Sequence, residues 1–368
     1  MLIISSFQVF DQAFILTRGG PGNATITLVY YIYNNGINNL NMGYASSISM
    51  VLFLIILVFS VMNTRLNNAD IKERRKKMNS REVKRRTKSI LWYTGAVLIS
   101  LATVYPFLWM VSTSFKPEAE IYSNSLSLLS SKFTLANYAK VFRTMPFARY
   151  FMNSFILAAS GVTTNLFFGA LAGYGFAKLK FQGRKVSFLI LLSSMMIPAV
   201  AAMIPQFLVL KFFPLVGGNN LFGQGGNGFI NSYFAIIIPG AVGAFAVFFM
   251  KQFFETLPDE LAEAARVDGC GEFKIFTKIY FPLIKPAAIT LAIMTFQSGW
   301  NSFMWPLIVL NSDKMKTVQV GLATFQYQYD TQYGPLMAGT VIATLPMVLL
   351  FLFAQKYYVE GIAFSGGK

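Results

Sequence analysis

The chain has 368 residues, 55% of them hydrophobic and 12% charged, with a net charge of +16 and a mean hydropathy of +0.52. Soluble domains carry about 25% charged residues, so half that share with long apolar runs points to an integral membrane protein and away from a soluble enzyme. The absence of histidine and the single cysteine, Cys270, exclude His-based triads, His or Cys-rich metal sites and an intrachain disulfide.

The opening run MLIISSFQVFDQAFIL is apolar but short and holds Asp11. It reads as the end of a helix; a signal peptide would need a basic start and a cleavage site. A spanning helix needs about 20 mostly apolar residues. Full spans are predicted over Tyr44–Met62, Ile90–Ser112, Tyr150–Ala177, Val186–Leu210, Ser232–Met250, Ala287–Leu310 and Leu336–Ala354. The fold class is therefore an all-α, polytopic helical bundle. Pro198, Pro205, Pro239 and Pro346 fall inside these spans and should kink or break them.

Between the first two spans lies DIKERRKKMNSREVKRRTK (Asp70–Lys88). Basic loops beside membrane helices stay in the cytoplasm, which explains this run without a nucleic-acid partner. Alternation then places Lys178–Lys185 and Leu257–Pro286 inside. It places Thr113–Arg149, Lys211–Asn231 and Asn311–Pro335 outside. Phe7–Leu57 also repeats in Phe296–Leu352: Phe7-Gln8 aligns with Phe296-Gln297, and Gly43 with Gly334. The chain divides into the end of one module (1–66), a basic linker (67–89) and a complete six-span module (90–368).

The inner segment 256–285 interrupts two apolar runs with charge. Pro258 suits a first helical turn, and Asp259 and Glu260 favour the positive end of a helix dipole. Gly269 can stop that helix by turning left-handed. A second arm follows, with Phe273, Phe276 and Tyr280 predicted on one face and Lys274, Thr277 and Lys278 on the other. The result is an amphipathic helix–turn–helix knob. Cys270 reads as a small residue at its turn.

Glu263-Ala264-Ala265, then Gly269 and Ile279-Tyr280-Phe281-Pro282, resemble the EAA motif of ABC importer permeases, EAA-x3-G-x9-I-x-L-P, with Phe281 in the usual Leu place. The flanking FFETLPDELAEAARVDG and the final AQKYYVEGIAFSGGK resemble the maltose/oligosaccharide type, second membrane subunit. The stretch LTRGGPGNATITLVYYIYNNGINNLNMGYASSIS resembles the last outer loop and helix of the first-subunit permease, so 1–66 is read as a truncated piece of that partner. The resemblance implies a transmembrane permease subunit of a bacterial ATP-driven sugar importer, multi-pass in the cell membrane, with linker, knob and C-terminus cytoplasmic. It implies that Glu263, Ala264, Ala265, Asp268, Gly269, Ile279 and Pro282 dock a cytoplasmic ABC ATPase dimer. The implied partners also include a first-subunit permease, an extracellular solute-binding protein and a sugar or oligosaccharide. ATP and Mg would be bound by the ATPase, with no cofactor in this chain.

The residues speak to energy as well. The predicted spans hold no Asp, Glu, Lys or Arg, where ion-coupled carriers usually place an ionisable group. Sodium can still be held by carbonyls, so an ion-coupled carrier or channel stays as the alternative. The terminal GIAFSGGK departs from a P-loop in the place of its Lys and in the missing Ser/Thr. Gln297, Trp300 and Asn301 are the main candidates for the substrate pathway, with Asn153, Gln206 and Trp305 behind them. Each has a competing structural reading, as an interhelical hydrogen bond or an interface aromatic.

Overall fold

A computed structural model of the chain describes residues 26–35, 44, 47–52, 85–123, 127–128, 130, 132–326 and 331–366. The expected opening helix end, most of the Tyr44–Met62 span and the linker up to residue 84 lie outside these residues. The described chain is helical, with one isolated β-bridge between Gln326 and Thr331. After a short helix at Leu28–Tyr33 come α1 (Arg85–Ser114), α2 (Glu118–Ser123), α3 (Ala136–Thr144), α4 (Phe147–Lys178), α5 (Arg184–Ser194), α6 (Ala199–Lys211), α7 (Phe234–Gly240) and α8 (Ala244–Glu255). Next are α9 (Glu260–Val267), α10 (Glu272–Leu283), α11 (Lys285–Trp300), α12 (Met304–Val309), α13 (Val318–Leu322) and α14 (Tyr333–Gly366).

Among the described residues, α4, α7 with α8, and Tyr333–Ala354 of α14 are long and apolar enough to cross a membrane. Two further pairs qualify jointly but are sharply bent: α5 with α6 by 100°, and α10 with α11 by 81°. α1 covers the predicted Ile90–Ser112 span.

Two predicted spans need correction. Val186–Leu210 is two helices, because Pro198 takes an extended ψ of 130° just before α6; proline also pushes its predecessor out of helical geometry. Ala287–Leu310 ends as a helix at Trp300, and α12 starts afresh at Met304. Pro306 sits two residues into α12, where its ring would clash with the Ser302 carbonyl of a continuous helix.

The chain forms two compact units. One comprises Met1–Tyr31, Met50–Phe147 and Leu322–Thr344. In it Asn137 donates to the carbonyls of Ser114 (3.0 Å) and Lys116 (2.8 Å), satisfying the orphan end of α1. Tyr122 donates to the Thr331 carbonyl at 2.9 Å.

The other unit comprises Ile32–Ser49, Ala148–Gly321 and Leu345–Lys368. Its main core joins Tyr174 of α4, Met250 and Phe254 of α8, and Leu291 of α11. α4 and α8 meet through glycine: a Cβ at Gly173 would lie 2.8 Å from Met250 Cβ and 2.9 Å from the Lys251 nitrogen. Gly169, one turn earlier, meets Ala246 in the same way. Such small-xxx-small spacing lets membrane helices pack backbone to backbone. Gly173→Val should force the helices apart at a cost of about 1–3 kcal/mol and lower the thermal midpoint in detergent by several degrees. Gly175→Val, where a Cβ meets nothing within 4 Å, should shift it far less.

Toward the opposite end, Asn153 is buried and ties loops together. It donates to the carbonyls of Lys314 (3.0 Å) and Lys316 (2.8 Å) and accepts from the Tyr233 hydroxyl (2.7 Å). Asn231, at φ 62°, accepts from the backbone of Asn311 and Ser312.

Candidate functional site

The knob is built from α9 and α10. α9 ends in a Schellman arrangement: the Gly269 N–H donates to the Arg266 carbonyl (3.0 Å) and the Cys270 N–H to the Ala265 carbonyl (2.9 Å). Gly269 sits at φ 77°, the left-handed geometry this cap requires. Its absent Cβ would meet nothing within 4 Å, so backbone conformation alone dictates glycine there.

Both arms are fastened to the end of α4. Lys178, its side chain only 5% exposed, pairs with Asp259 at 2.5 Å and donates to the Leu257 carbonyl at 2.6 Å. This hydrogen bond from the Lys178 ammonium holds the Asp259 carboxyl below its usual range. Asp259 precedes α9 without capping it by its side chain. On the second arm, the Tyr174 hydroxyl donates to Glu272 (2.7 Å), and Arg266 Nε donates to the other oxygen of the same carboxylate (2.6 Å). The Tyr174 ring lies 5.7 Å from Phe254, 5.4 Å from Phe276 and 5.7 Å from Tyr280. Tyr280 is fully buried and donates to the Pro258 carbonyl at 2.9 Å, closing one arm on the other.

The buried face of α10 differs from the one expected. Ile275, Phe276 and Tyr280 are buried, whereas Phe273 is 65% exposed. Residues Phe276–Tyr280 are π-helical. The extra residue in that turn replaces a 3.6-residue spacing by one of five, from Ile275 to Tyr280. Glu263, Ala264, Asp268, Gly269 and Pro282 face outward, Ile279 is half-buried, and Ala265 is turned into the knob's own core. Val267, 88% exposed, joins Phe273 as an apolar flank of the glycine turn. The sequence reasoning missed Tyr174, Lys178, Arg266 and Glu272. The opposite charges of Arg266 and Glu272 on either side of Gly269 were a signal; Tyr174, nearly 100 residues upstream, offered none.

The pathway candidates part company. Gln297 is exposed and lines an apolar cleft of about 400 Å³ with Ile293 and Met347. Asn301 is exposed and occupies the C-cap of α11, its N–H bonded to the Gln297 and Gly299 carbonyls. Trp300 is 1% exposed and packs edge-on to Phe151 (5.0 Å) and stacked on Phe296 (5.9 Å); its ring is not open to a sugar. Trp305 is spent on the Ala235 carbonyl, at 3.0 Å. Gln206 is half-buried on α6.

A bundle of broken apolar helices with a charged helix–turn–helix knob defines a membrane permease. Residues 165–363 match the model of the binding-protein-dependent transport system inner membrane component family. The chain belongs to that family. It is 37% identical over 292 residues to the arabinooligosaccharides transport system permease protein AraQ of Halalkalibacterium halodurans, covering 78% of this chain and 100% of that protein. It is 32% identical to the lactose transport system permease protein LacG of Rhizobium radiobacter (76% and 97% covered). It is 31% identical to the trehalose/maltose transport system permease protein MalG of Thermococcus litoralis (75% and 95%). A chain of a bacterial ABC transporter that imports alginate shares the fold, with a TM-score of 0.66 at 24% identity over 76% of this chain and 100% of that one. The protein is thus a multi-pass membrane permease of a binding-protein-dependent transporter.

Proposed function

We propose that the chain is the second membrane subunit of an ATP-driven importer of neutral sugars, with its knob as the docking element for a separate cytoplasmic ATPase. The single observation that carries the docking is the knob's construction. A capped helix, a left-handed glycine and a second arm are clamped from behind, while Glu263, Asp268, Val267 and Phe273 stay exposed. A helical element with charged and apolar exposed residues suits a groove on another protein. Ala265 then acts as packing that seats the arm, and Glu263, Ala264, Asp268 and Gly269 meet the ATPase. ATP and magnesium belong to that partner. Relatives named for arabino-oligosaccharides, lactose and trehalose/maltose support the sugar class, and the family's binding-protein-dependent description supports a solute-binding protein; a first-subunit permease completes the proposed partners.

Cys270 tests side and partner together. It lies beside the turn and is half-buried. In intact cells it should resist an impermeant thiol reagent. In inverted vesicles it should label, and assembly with the ATPase should protect it. Rapid labelling from outside would overturn the orientation, and equal labelling with and without the ATPase would overturn the docking.

The 1–66 segment is read as a remnant of a first-subunit permease. AraQ of H. halodurans is matched over its whole length by 78% of this chain, which fits a six-span module over 90–368. A chain starting at Asn79 should insert and support sugar uptake in a strain lacking the second permease but supplied with the first. Uptake restored only by the longer chain would make the segment a working part.

A further inference from the structure

The turn from α4 into α5 carries Lys180, Arg184 and Lys185 around an open pocket of about 590 Å³, completed by Phe181, Gly183 and Val186. The corner is built, not loose. Phe176 of α4 packs against Phe181 (5.9 Å) and against Phe188 of α5 (5.5 Å). Arg184 donates to the Leu179 carbonyl at 3.0 Å, and Gly183 makes the turn at φ 80°.

The charge at this corner is unanswered. The sequence has no Asp or Glu between Glu120 and Glu255. Lys178, Lys251 and Arg266 each hold a carboxylate, at 2.5, 2.6 and 2.6 Å. Lys180, Arg184 and Lys185 form no ion pair among the described residues. Lys180 stands close enough to Asp259 to help lower its carboxyl, but that carboxylate is already held by Lys178.

The start of α5 points the same way. A helix N-terminus favours carboxylates and disfavours cations. The first turn of α5 has Arg184 and Lys185, no acid and no side-chain cap. The N–H groups of Lys185 and Val186 have no backbone partner among the described residues. A topological signal needs basic residues alone; it needs neither a pocket nor an open helix start. An anion answers all of these features.

The next turn of α5 says where that anion comes from. Val186, Leu189 and Ile190 share one face and are 61%, 61% and 67% exposed. The α5–α6 pair is apolar enough to span a membrane, so this stripe lies against acyl chains. A phosphate carrying acyl chains fits both the cations and the stripe, whereas a soluble phosphate fits the cations only.

We propose that the α4–α5 corner binds an anionic phospholipid, its phosphate held by Lys180, Arg184, Lys185 and the first N–H groups of α5, its chains along Val186, Leu189 and Ile190. Basic pockets between membrane helices take such headgroups. The inference does not depend on which solute the permease carries.

The test uses the full chain assembled with its ATPase and first permease, in nanodiscs of phosphatidylcholine with a minor share of phosphatidylglycerol. A bimane on Ile190→Cys, in a Cys270→Ser background with cysteine-free partners, is quenched by whichever of the two lipids is brominated. Each cation near an anionic group is worth about fivefold in affinity, so phosphatidylglycerol should be preferred about tenfold or more over its share of the bilayer. Lys180→Gln with Lys185→Gln should erase that preference. Lys274→Gln with Lys278→Gln on the knob removes the same charge and should leave it intact. Neither inorganic phosphate nor glycerophosphoglycerol, the headgroup without its chains, should weaken it beyond chloride at equal ionic strength. No preference in the wild-type complex, or equal loss in both double variants, overturns the site. Displacement by either soluble phosphate makes it a site for a free anion and overturns the lipid. A bimane that neither lipid quenches shows the face covered by protein, which overturns it as well.

Discussion

Gly269→Val is expected to abolish productive docking of the ATPase while the chain still inserts in the membrane. The cause is backbone geometry. Gly269 holds φ 77°, and an L-residue in that region costs about 1–3 kcal/mol, most for a β-branched one. No neighbour lies within 4 Å of its missing Cβ, so a clash contributes nothing and the whole effect is conformational. Relaxing φ would undo the paired bonds of Gly269 to Arg266 and of Cys270 to Ala265. That would swing α9 against α10 and dissolve the outer surface at Glu263, Ala264 and Asp268. The effect should therefore follow left-handed tolerance: Asn close to wild type, Ala weaker, Val inactive. Two readouts check this: co-purification of the ATPase with the permease in detergent, and the rate of ATP hydrolysis in the assembled complex. Full sugar uptake by the Val variant would show that the turn has no part in coupling.

The knob was legible in the sequence because it breaks a pattern. Charge appears between apolar runs, and Pro258, Asp259 and Gly269 mark a helix start and stop through local chemistry. The spans were legible as lengths of apolar chain, but their interruptions were not. Pro198 begins a 100° break, whereas Pro205, Pro106 and Pro346 stay inside helices. What decides is whether neighbours re-satisfy the freed backbone, and those neighbours are distant in the chain. Asn165 repairs a break 75 residues away at Gly240. Trp300 shows the same limit: as a sequence symbol it suits a sugar platform, and only packing against Phe151 and Phe296 assigns it to the core. Phe273 was misplaced because periodicity gives the face of a helix and not how far the core covers it: Phe276 and Tyr280 on that face are buried, and Phe273 at its start is 65% exposed.

Glu272→Ala is expected to uncouple ATP hydrolysis from transport while the ATPase stays bound. Glu272 joins three elements, accepting from Tyr174 of α4 and Arg266 of α9 at the start of α10. With the Lys178–Asp259 pair, it fixes both arms to the end of α4. The covalent route onward, from α10 into α11, is bent by 81° and preceded by a π-turn, so the clamp is the straighter connection. On the proposed docking, a push on the knob is expected to pass to α4, which packs against α8 at Gly169 and Gly173. Alanine at 272 strands the buried Tyr174 hydroxyl, which costs about 1–3 kcal/mol when unsatisfied, and releases the exposed Arg266 guanidinium to solvent. Tyr174→Phe loses one hydrogen bond but keeps the ring among Phe254, Phe276 and Tyr280. Glu272→Gln keeps an acceptor for Tyr174 but loses the charge that holds Arg266. Both should be milder than alanine, in the same direction. The measurement is sugar molecules moved per ATP hydrolysed in proteoliposomes, with ATPase binding followed in parallel. The ratio should fall several-fold in Glu272→Ala at undiminished binding. An unchanged ratio would mean that force reaches the membrane along α11 instead, and loss of binding together with transport would make Glu272 a strut of the knob alone.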